Sequence, residues 1–165
     1  MKSIITSAPG KIVIIGEFAV LKNAPSISMA INRRAIVSIK EIQDSSHIIK
    51  THGIMESEWR FNDNESGEFI WHGSEPQKNI LELFVLFWRK IKIESNIKYE
   101  FTLDTSMFFD PIKRNKLGLG SSSALIVAMS TAFIKFFDIS ENINDFAHQI
   151  HSEFQSGLGL SLIHI

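Results

Sequence analysis

Several ingredients are scarce in this sequence, and each absence narrows the class of protein. It has no cysteine, which excludes disulfides, thiolate metal sites and a cysteine nucleophile, and which fits a reducing compartment. The formal net charge is only -1, so no broad basic surface for nucleic acid or an acidic membrane is expected. We therefore expect neither nucleic acid nor membrane as a partner.

Long apolar runs are also missing. The longest one in a helical pattern, 124–137, contains Ser130, Thr131 and Lys135, and is too short and too polar to span a bilayer. At the amino terminus, Pro9-Gly10 interrupts the apolar residues before they reach the length of a signal peptide. These features predict a cytoplasmic protein. The 165 residues, 44% hydrophobic and 21% charged, are enough for one globular domain with a sizeable core.

Hydrophobic periodicity predicts strands in the first half and helices later. The strand patterns cover 11–15, 30–42, 45–51, 58–61, 68–71 and 98–104, with a hairpin loop at 62–67. Helical patterns cover 79–91 and a stretch from the glycine-rich segment at 118 to about 137, and Ser140 is the expected N-cap of a last helix through Phe154. Strands followed by mixed strands and helices predict an α+β (α/β) two-layer domain.

The strongest local motif is a glycine-rich turn that opens an apolar helix, Lys116-Leu117-Gly118-Leu119-Gly120-Ser121-Ser122-Ser123-Ala124. Two glycines allow a tight turn and a close backbone approach, and the free N–H groups of a first helical turn attract anions. A polyphosphate suits this environment, and a serine hydroxyl there can reach a magnesium ion. The alternative is an ordinary helix start after a tight turn. The spacing matches neither a Walker A loop nor a dinucleotide fingerprint.

A second motif, Ser7-Ala8-Pro9-Gly10-Lys11, precedes a buried strand and is followed by Gly16-Glu17-Phe18-Ala19-Val20-Leu21. An unpaired lysine at the head of a buried strand is costly, so Lys11 is expected to have a carboxylate or phosphate partner. Glu17 lies just beyond the same apolar strand. The alternative is a surface salt bridge of little energetic value between strand ends.

Together the two motifs resemble those of the GHMP family of small-molecule kinases. The first resembles the family's Pro-Gly-Lys followed by Gly-Glu-His or Gly-Glu-Tyr. The second resembles its Gly-Leu-Gly-Ser-Ser-Ala-Ala, with Ser123 in place of an alanine. The motifs occur in the family's order, about a hundred residues apart, and the resemblance covers 7–159.

The resemblance implies a fold, cofactors and site residues. The fold would be the family's amino-terminal, ATP-binding domain, with a ribosomal-protein-S5-like core. The family's carboxy-terminal ferredoxin-like domain is absent from the sequence. ATP and Mg²⁺ are the implied cofactors, and Ser122 is the implied magnesium contact. Lys11 would be the catalytic residue beside the transferred phosphoryl and the substrate, and Glu17 either a structural residue or one that binds the substrate. The loop residues implied to bind ATP are Lys116, Gly118, Leu119, Gly120, Ser121, Ser122 and Ser123.

The segment 147–159 contains two histidines, His148 and His151, with Glu153 close by. They could be metal ligands, but no third ligand with suitable spacing follows, so a half-buried helix with polar ends is the favoured interpretation. The segment resembles the Ala-His-x-x-His-x-x-x-Gln-Gly stretch of phosphomevalonate kinases and related bacterial mevalonate-pathway kinases, which leads into Gly-Ser-Gly-x-Asp. That aspartate, which handles the substrate proton in many members, is missing here, and Glu153 is a weak candidate for the acidic magnesium ligand.

Three features favour phosphomevalonate over mevalonate as the phosphoryl acceptor. They are the Gly-Glu-Phe-Ala-Val string, Lys116 before the loop and the two-histidine segment. Mevalonate kinase is the alternative, and a nucleotide-binding relative without catalysis is a second. The fragment itself is expected to be inactive. Its oligomeric state is open, a homodimer being one alternative.

The last six residues, 160–165, form an unusual ending. Leu-Ser-Leu-Ile-His-Ile is the translation of a transposon-end adapter used in sequencing libraries. We therefore expect residues 1–159 to be the native domain and 160–165 to be a non-native tail. The alternative is a natural apolar tail. Recovery of the locus with native codons for these six residues would contradict the expectation.

Overall fold

A computed structural model of the chain describes residues 1–53, 55–64, 68–76, 81–91 and 97–157. The expected tail at 160–165 lies outside these residues, as do the first two positions of the predicted helix at 79–91. Within the described residues, the strands are β1 (Ser3–Ile15), β2 (Ile27–Ile42), β3 (His47–His52), β4 (Ser57–Asp63), β5 (Phe69–His72) and β6 (Lys98–Asp104). The α-helices there are α1 (Glu82–Ile91), α2 (Ser121–Phe136) and α3 (Ile143–Gly157).

The six strands form one mixed sheet in the order β1-β2-β6-β3-β4-β5. Neighbouring strands are antiparallel except for β3 and β6, which are parallel. β6 comes after the other five described strands in the chain, yet it lies between β2 and β3, because α1 carries the chain back across the sheet from its far edge. Strands on one side and helices on the other confirm the predicted α+β two-layer fold.

The helices pack on the face of the sheet where β6 places its apolar side chains. Phe101 is fully buried there, with its ring centroid 4.9 Å from that of Phe84 on α1 and 5.6 Å from that of Phe133 on α2. Phe87 on α1 meets Phe146 on α3 at 5.7 Å, so all three helices join one aromatic core. Such ring pairs add to the free energy gained by burying apolar surface.

The opposite face of the sheet is charged. Glu100 on β6 accepts from Lys40 on β2 at 2.8 Å and from Lys50 on β3 at 2.9 Å. Partial burial raises the pKa of Glu100, but the hydrogen bonds from the two lysines outweigh it and hold the pKa below its usual value. This alternation of apolar and charged faces is the period-2 pattern that predicted the strands.

A histidine side chain is buried inside the aromatic core. The ring of His47, on β3, is stacked on Phe61 at 4.9 Å and meets the edge of Trp88 at 4.9 Å. Its Nδ1 accepts a hydrogen bond from the backbone N–H of Tyr99 at 3.2 Å. Burial, and then the nearby charge of Lys98, lower the pKa of His47 to about 3. The ring is therefore neutral at physiological pH and serves as a hydrogen-bond acceptor within the core.

β1 is longer than its sequence pattern predicted. We expected a strand at 11–15, but the strand begins at Ser3, and its register with β2 shifts between Pro9 and Gly10. β1 is an edge strand, where a proline is tolerated because one side of the strand needs no ladder partner. The turn signal of Pro9-Gly10 therefore marks a bulge within one strand.

The N-cap of α3 also differs from the prediction. We expected Ser140, but Asn142 fills this role: its Oδ1 accepts from the backbone N–H groups of Asn144 at 2.8 Å and Asp145 at 3.3 Å. The start of α2 at Ser121 and the bounds of β6 agree with the sequence patterns. None of the helices in the described part of the chain is long and apolar enough to cross a membrane.

Candidate functional site

The two sequence motifs, far apart in the chain, are in direct contact. The backbone N–H of Lys11 donates to the carbonyl oxygen of Leu119 at 3.0 Å. A Cβ on Gly10 would lie 2.6 Å from the same oxygen, so only glycine allows the loop to approach β1 this closely. The side-chain stem of Lys11 lies beside Gly120, where a Cβ would be 3.3 Å from the Lys11 Cγ. The glycine-rich loop is thus held against the backbone of β1 at Lys11.

α2 begins without a side-chain cap. Its N-cap, Gly120, has a left-handed backbone with φ 76°, and no side chain caps the first turn. The first backbone N–H groups of an α-helix have no partner within the helix, so those of the first turn point out of its end. Ser122 is exposed there, whereas Ser121 is buried. This end of α2 combines free donors with the positive end of the helix dipole, an arrangement that favours anions.

The loop before the glycines is a small closed hairpin. Phe109 and Lys116 form an isolated bridge, and the Asp110 carboxylate accepts from the backbone N–H groups of Lys113 at 2.7 Å and Ile112 at 2.9 Å. These hydrogen bonds hold the pKa of Asp110 below its usual value. The hairpin places Lys116 against the cleft at the α2 end, whereas Lys113 is exposed outside it.

The cleft itself has a volume of about 450 Å³ and two walls. One wall is the start of α2 with Lys11 and Lys116. The other wall is α3, which contributes Asn144, Ala147, His148, His151, Phe154 and Gln155. Among the described residues that line it, the side chains that carry a full charge are two lysines, and there is no carboxylate. The cleft is therefore cationic, and within the described part of the chain neither lysine forms an ion pair.

Helix α3 places two histidines, His148 and His151, in the lining of the cleft. From the sequence we expected only that they lie on a half-buried helix. His148 is exposed, whereas His151 is partly buried. Burial, the charge of Lys11 and then His148 lower the pKa of His151. The signal that could have placed them was the spacing of Asn144, His148, His151 and Gln155, which puts polar groups on one face of a helix. Which surface that face meets depends on tertiary packing.

The acidic candidates lie elsewhere. Glu17 borders a second, smaller cavity of about 230 Å³, which shares Lys11 and the glycine-rich loop with the main cleft. Glu153 contacts α1, where its Oε1 accepts from the Lys90 Nζ at 2.6 Å, and it is not among the residues that line the cleft. Across the described residues, no three His, Asp or Glu side chains come together as a metal site.

Comparison with protein-family models gives one match, to the GHMP kinases N terminal domain, over residues 79–161. This match spans half of the chain. It includes the glycine-rich loop and the helices α2 and α3, which form the two walls of the cleft. The chain belongs to the GHMP kinase family. None of the curated proteins compared with it matches.

Several solved structures of small-molecule kinases share the fold of the chain. Mevalonate kinase of Methanococcus jannaschii is 20% identical, with a TM-score of 0.65 over 94% of this chain and 48% of that one. Phosphomevalonate kinase of Streptococcus pneumoniae, solved with phosphomevalonate and AMPPNP, is 16% identical, with a TM-score of 0.55 over 91% and 42%. Galactokinase of Lactococcus lactis is 11% identical, with a TM-score of 0.59 over 92% and 38%. The chain spans about half the length of the structures it matches.

Proposed function

We propose that this chain is the nucleotide-binding part of an ATP-dependent kinase of the mevalonate pathway, with phosphomevalonate as its acceptor. The observation that carries the proposal is the cleft at the start of α2. There an uncapped helix end, Lys11 and Lys116 surround one space of about 450 Å³ without a carboxylate among its described lining residues. A site of this charge fits a polyphosphate and disfavours a cation on its own.

The residues present fit ATP. The turn from Gly118 to Gly120 would wrap the phosphates, the N–H groups of the first α2 turn would donate to phosphate oxygens, and Lys116 would approach them from the hairpin. Ser122 is the exposed hydroxyl of that turn and would be the protein's contact to Mg²⁺. When bound, Mg²⁺-ATP supplies the phosphoryl group to be transferred.

Lys11 has the central position. It lines both the main cleft and the smaller cavity that Glu17 borders, so it lies between the proposed nucleotide and acceptor sides. Its ammonium group would stabilise the negative charge on the transferred phosphoryl as the acceptor oxygen approaches. Its backbone hydrogen bond to Leu119 holds the start of the side chain beside the glycine-rich loop. Glu17 would meet the acceptor.

The choice of acceptor rests on three sequence features that resemble phosphomevalonate kinases: the Gly-Glu-Phe-Ala-Val string, Lys116 before the loop and the two-histidine segment. Phosphomevalonate brings a phosphate group that mevalonate lacks, and Lys11, which lines the smaller cavity as well as the main cleft, is a cationic partner for added negative charge. Mevalonate as acceptor, and nucleotide binding without catalysis, are the alternatives that the activity test separates.

The test uses the longest reading frame that contains this chain, assayed for Mg²⁺-dependent ATP consumption with phosphomevalonate and mevalonate separately. We expect turnover with phosphomevalonate, and a loss of about 100-fold or more in kcat for Lys11→Met. Lys113→Met is the matched control, because this lysine lies outside the cleft, and it should keep full activity. Turnover with mevalonate alone would show that mevalonate is the acceptor. ATP binding without turnover on any acceptor would favour the non-catalytic alternative.

The exposed end of the β1–β2 hairpin supports the idea that a further domain packs on this chain in the intact enzyme. Ile14, Ile15 and Phe18 are 60%, 63% and 78% exposed, and Ile27 and Met29 across the hairpin are 58% and 51% exposed. Clustered apolar groups of this kind mark interaction surfaces. We propose that the family's carboxy-terminal domain covers them, and that the 165-residue chain alone has no kinase activity. Appreciable turnover by the purified chain would contradict this.

A further inference from the structure

We propose that His151 is a phosphate-binding residue of the cleft, and that it takes up a proton when a polyphosphate enters. This proposal rests on the proposed function, because it concerns the same cleft and the same ligand class. It adds a titratable ligand on the α3 wall to the fixed backbone donors on the α2 wall. Imidazole is a weak partner for phosphate when neutral, and imidazolium is a strong one.

The geometry places His151 where an anion would be enclosed from two sides. His151 and His148 line the cleft from α3, facing the serine turn of α2 and the two lysines. A phosphate bound to the N–H groups of that turn lies between the two walls of a cleft of about 450 Å³. The α3 wall can therefore complete the coordination that the α2 wall begins.

The charged groups around His151 are few. β1 contributes Lys11, the hairpin contributes Lys116, and α3 itself contributes His148. The first turns of α2 contribute hydroxyl and apolar side chains. From α1, Lys90 is paired with Glu153, which is on α3 outside the cleft lining. Among the described groups that line the cleft with His151, each one that can carry a charge is cationic when charged.

These surroundings disfavour a proton on His151 in the empty cleft. Burial, Lys11 and His148 lower its pKa, so the ring is neutral near pH 7. The Gln155 Nε2 lies 3.4 Å from the His151 Nε2, on the same helix.

A bound polyphosphate favours the protonated form of His151 instead. Its negative charge offsets Lys11 and favours the charged ring, so one ring nitrogen gains a proton from solvent and its N–H donates to a phosphate oxygen. No covalent bond is made or broken, and the ligand is held less tightly when the proton leaves. By linkage, phosphate affinity must fall as pH rises through the pKa of the complex, by up to tenfold for each unit by which binding raises that pKa.

Calorimetry with inorganic tripolyphosphate and no metal tests the proposal. Titrating the 165-residue chain near pH 7 in two buffers of different ionisation enthalpy gives the number of protons taken up on binding. The ligand's own protonation is the same for every variant, so a difference between variants belongs to the protein. We expect His151→Gln to take up fewer protons than the wild type, and its affinity to change less between pH 6 and 8. His52→Gln, on β3 and outside the cleft lining, is the control and should match the wild type.

A second measurement needs no variant. The titration of the His151 imidazole, followed by NMR, should move to higher pH when tripolyphosphate is added. Equal proton uptake in wild type and His151→Gln, or an unmoved titration in the presence of bound ligand, would overturn the proposal and leave the proposed function intact. Failure of the wild-type chain to bind tripolyphosphate would instead contradict the proposed function, and with it this proposal.

Discussion

The aromatic core and the cleft differ in the environment that they give to polar and charged groups. In the core, apolar rings fill the space, and the one histidine there, His47, has its backbone donor partner and loses its charge. In the cleft, two lysines and an uncapped helix end face open space. The core lowers the free energy of the fold, whereas the cleft leaves two lysines and a helix end open to a ligand, as the proposed phosphate site requires.

Helix α2 belongs to both regions, and its sequence changes along its length accordingly. Its first turn carries Ser122 toward the cleft, while Phe133, three turns later, is fully buried against Phe101. We therefore expect variants of the two regions to change different quantities: core variants should change stability, and cleft variants should change phosphate binding. The following changes test that separation, from the largest expected effect to the smallest.

Phe101→Ala should cause the largest loss of stability. The ring is fully buried in the middle of the sheet and contacts Phe84 and Phe133, so its removal leaves a cavity that neighbours cannot fill. We expect the free energy of unfolding to fall by about 3–5 kcal/mol. Urea unfolding measures it. A loss below about 1 kcal/mol would show that the aromatic core is not the main source of stability.

Acid should destabilise the fold through His47. Its pKa is about 3 in the fold and 6.5 as its ordinary value, so the unfolded chain binds more protons between these values. The contribution of His47 to the free energy of unfolding is complete above about pH 6.5 and is lost as the pH falls toward 3. The loss between pH 7 and pH 4 is about 3 kcal/mol. Urea midpoints across this range measure the slope. His47→Phe should flatten it, and an unchanged slope would assign acid sensitivity to other groups.

Gly120→Ala should affect both regions, since it lies where the loop meets Lys11. The left-handed backbone at φ 76° costs about 1–2 kcal/mol for alanine, and the new Cβ would lie 3.3 Å from the Lys11 Cγ. We expect this loss of stability together with weaker phosphate binding. Gly73→Ala is the matched control, with φ 96° and open space around the Cβ. It should lose stability alone, and equal phosphate affinity in the two variants would contradict the account.

Ser130→Ala should give the smallest change, and in the opposite direction. The Ser130 side chain is fully buried on α2, and its Oγ has no hydrogen-bond partner within the described residues. Removing an unsatisfied hydroxyl should stabilise the fold by about 1 kcal/mol without changing phosphate affinity. Thr131→Ala, which removes a hydroxyl that donates to the Val127 carbonyl at 2.8 Å, is the control and should bring no gain. A destabilised Ser130→Ala would mean that the hydroxyl has a partner.

The parts of this molecule that could be predicted from sequence are those determined by local pattern. Alternation of apolar residues predicted β6, and the two glycines before a serine run predicted the start of α2. The position of β6 between β2 and β3 could not be predicted, because strand order depends on contacts between distant segments. The same holds for His151: its spacing marks a polar helix face, but only the packing of α3 beside α2 turns that face toward Lys11.

The most direct test of the central claim is to follow the backbone amides of the chain by NMR while Mg²⁺-ATP is added. The claim is that the open end of α2 and Lys11 form a phosphate site. It predicts the largest shifts at the N–H groups of 118–123 and at Lys11, with residues of the charged sheet face, such as Lys50, unchanged. Shifts centred elsewhere, or none at saturating ATP, would contradict it.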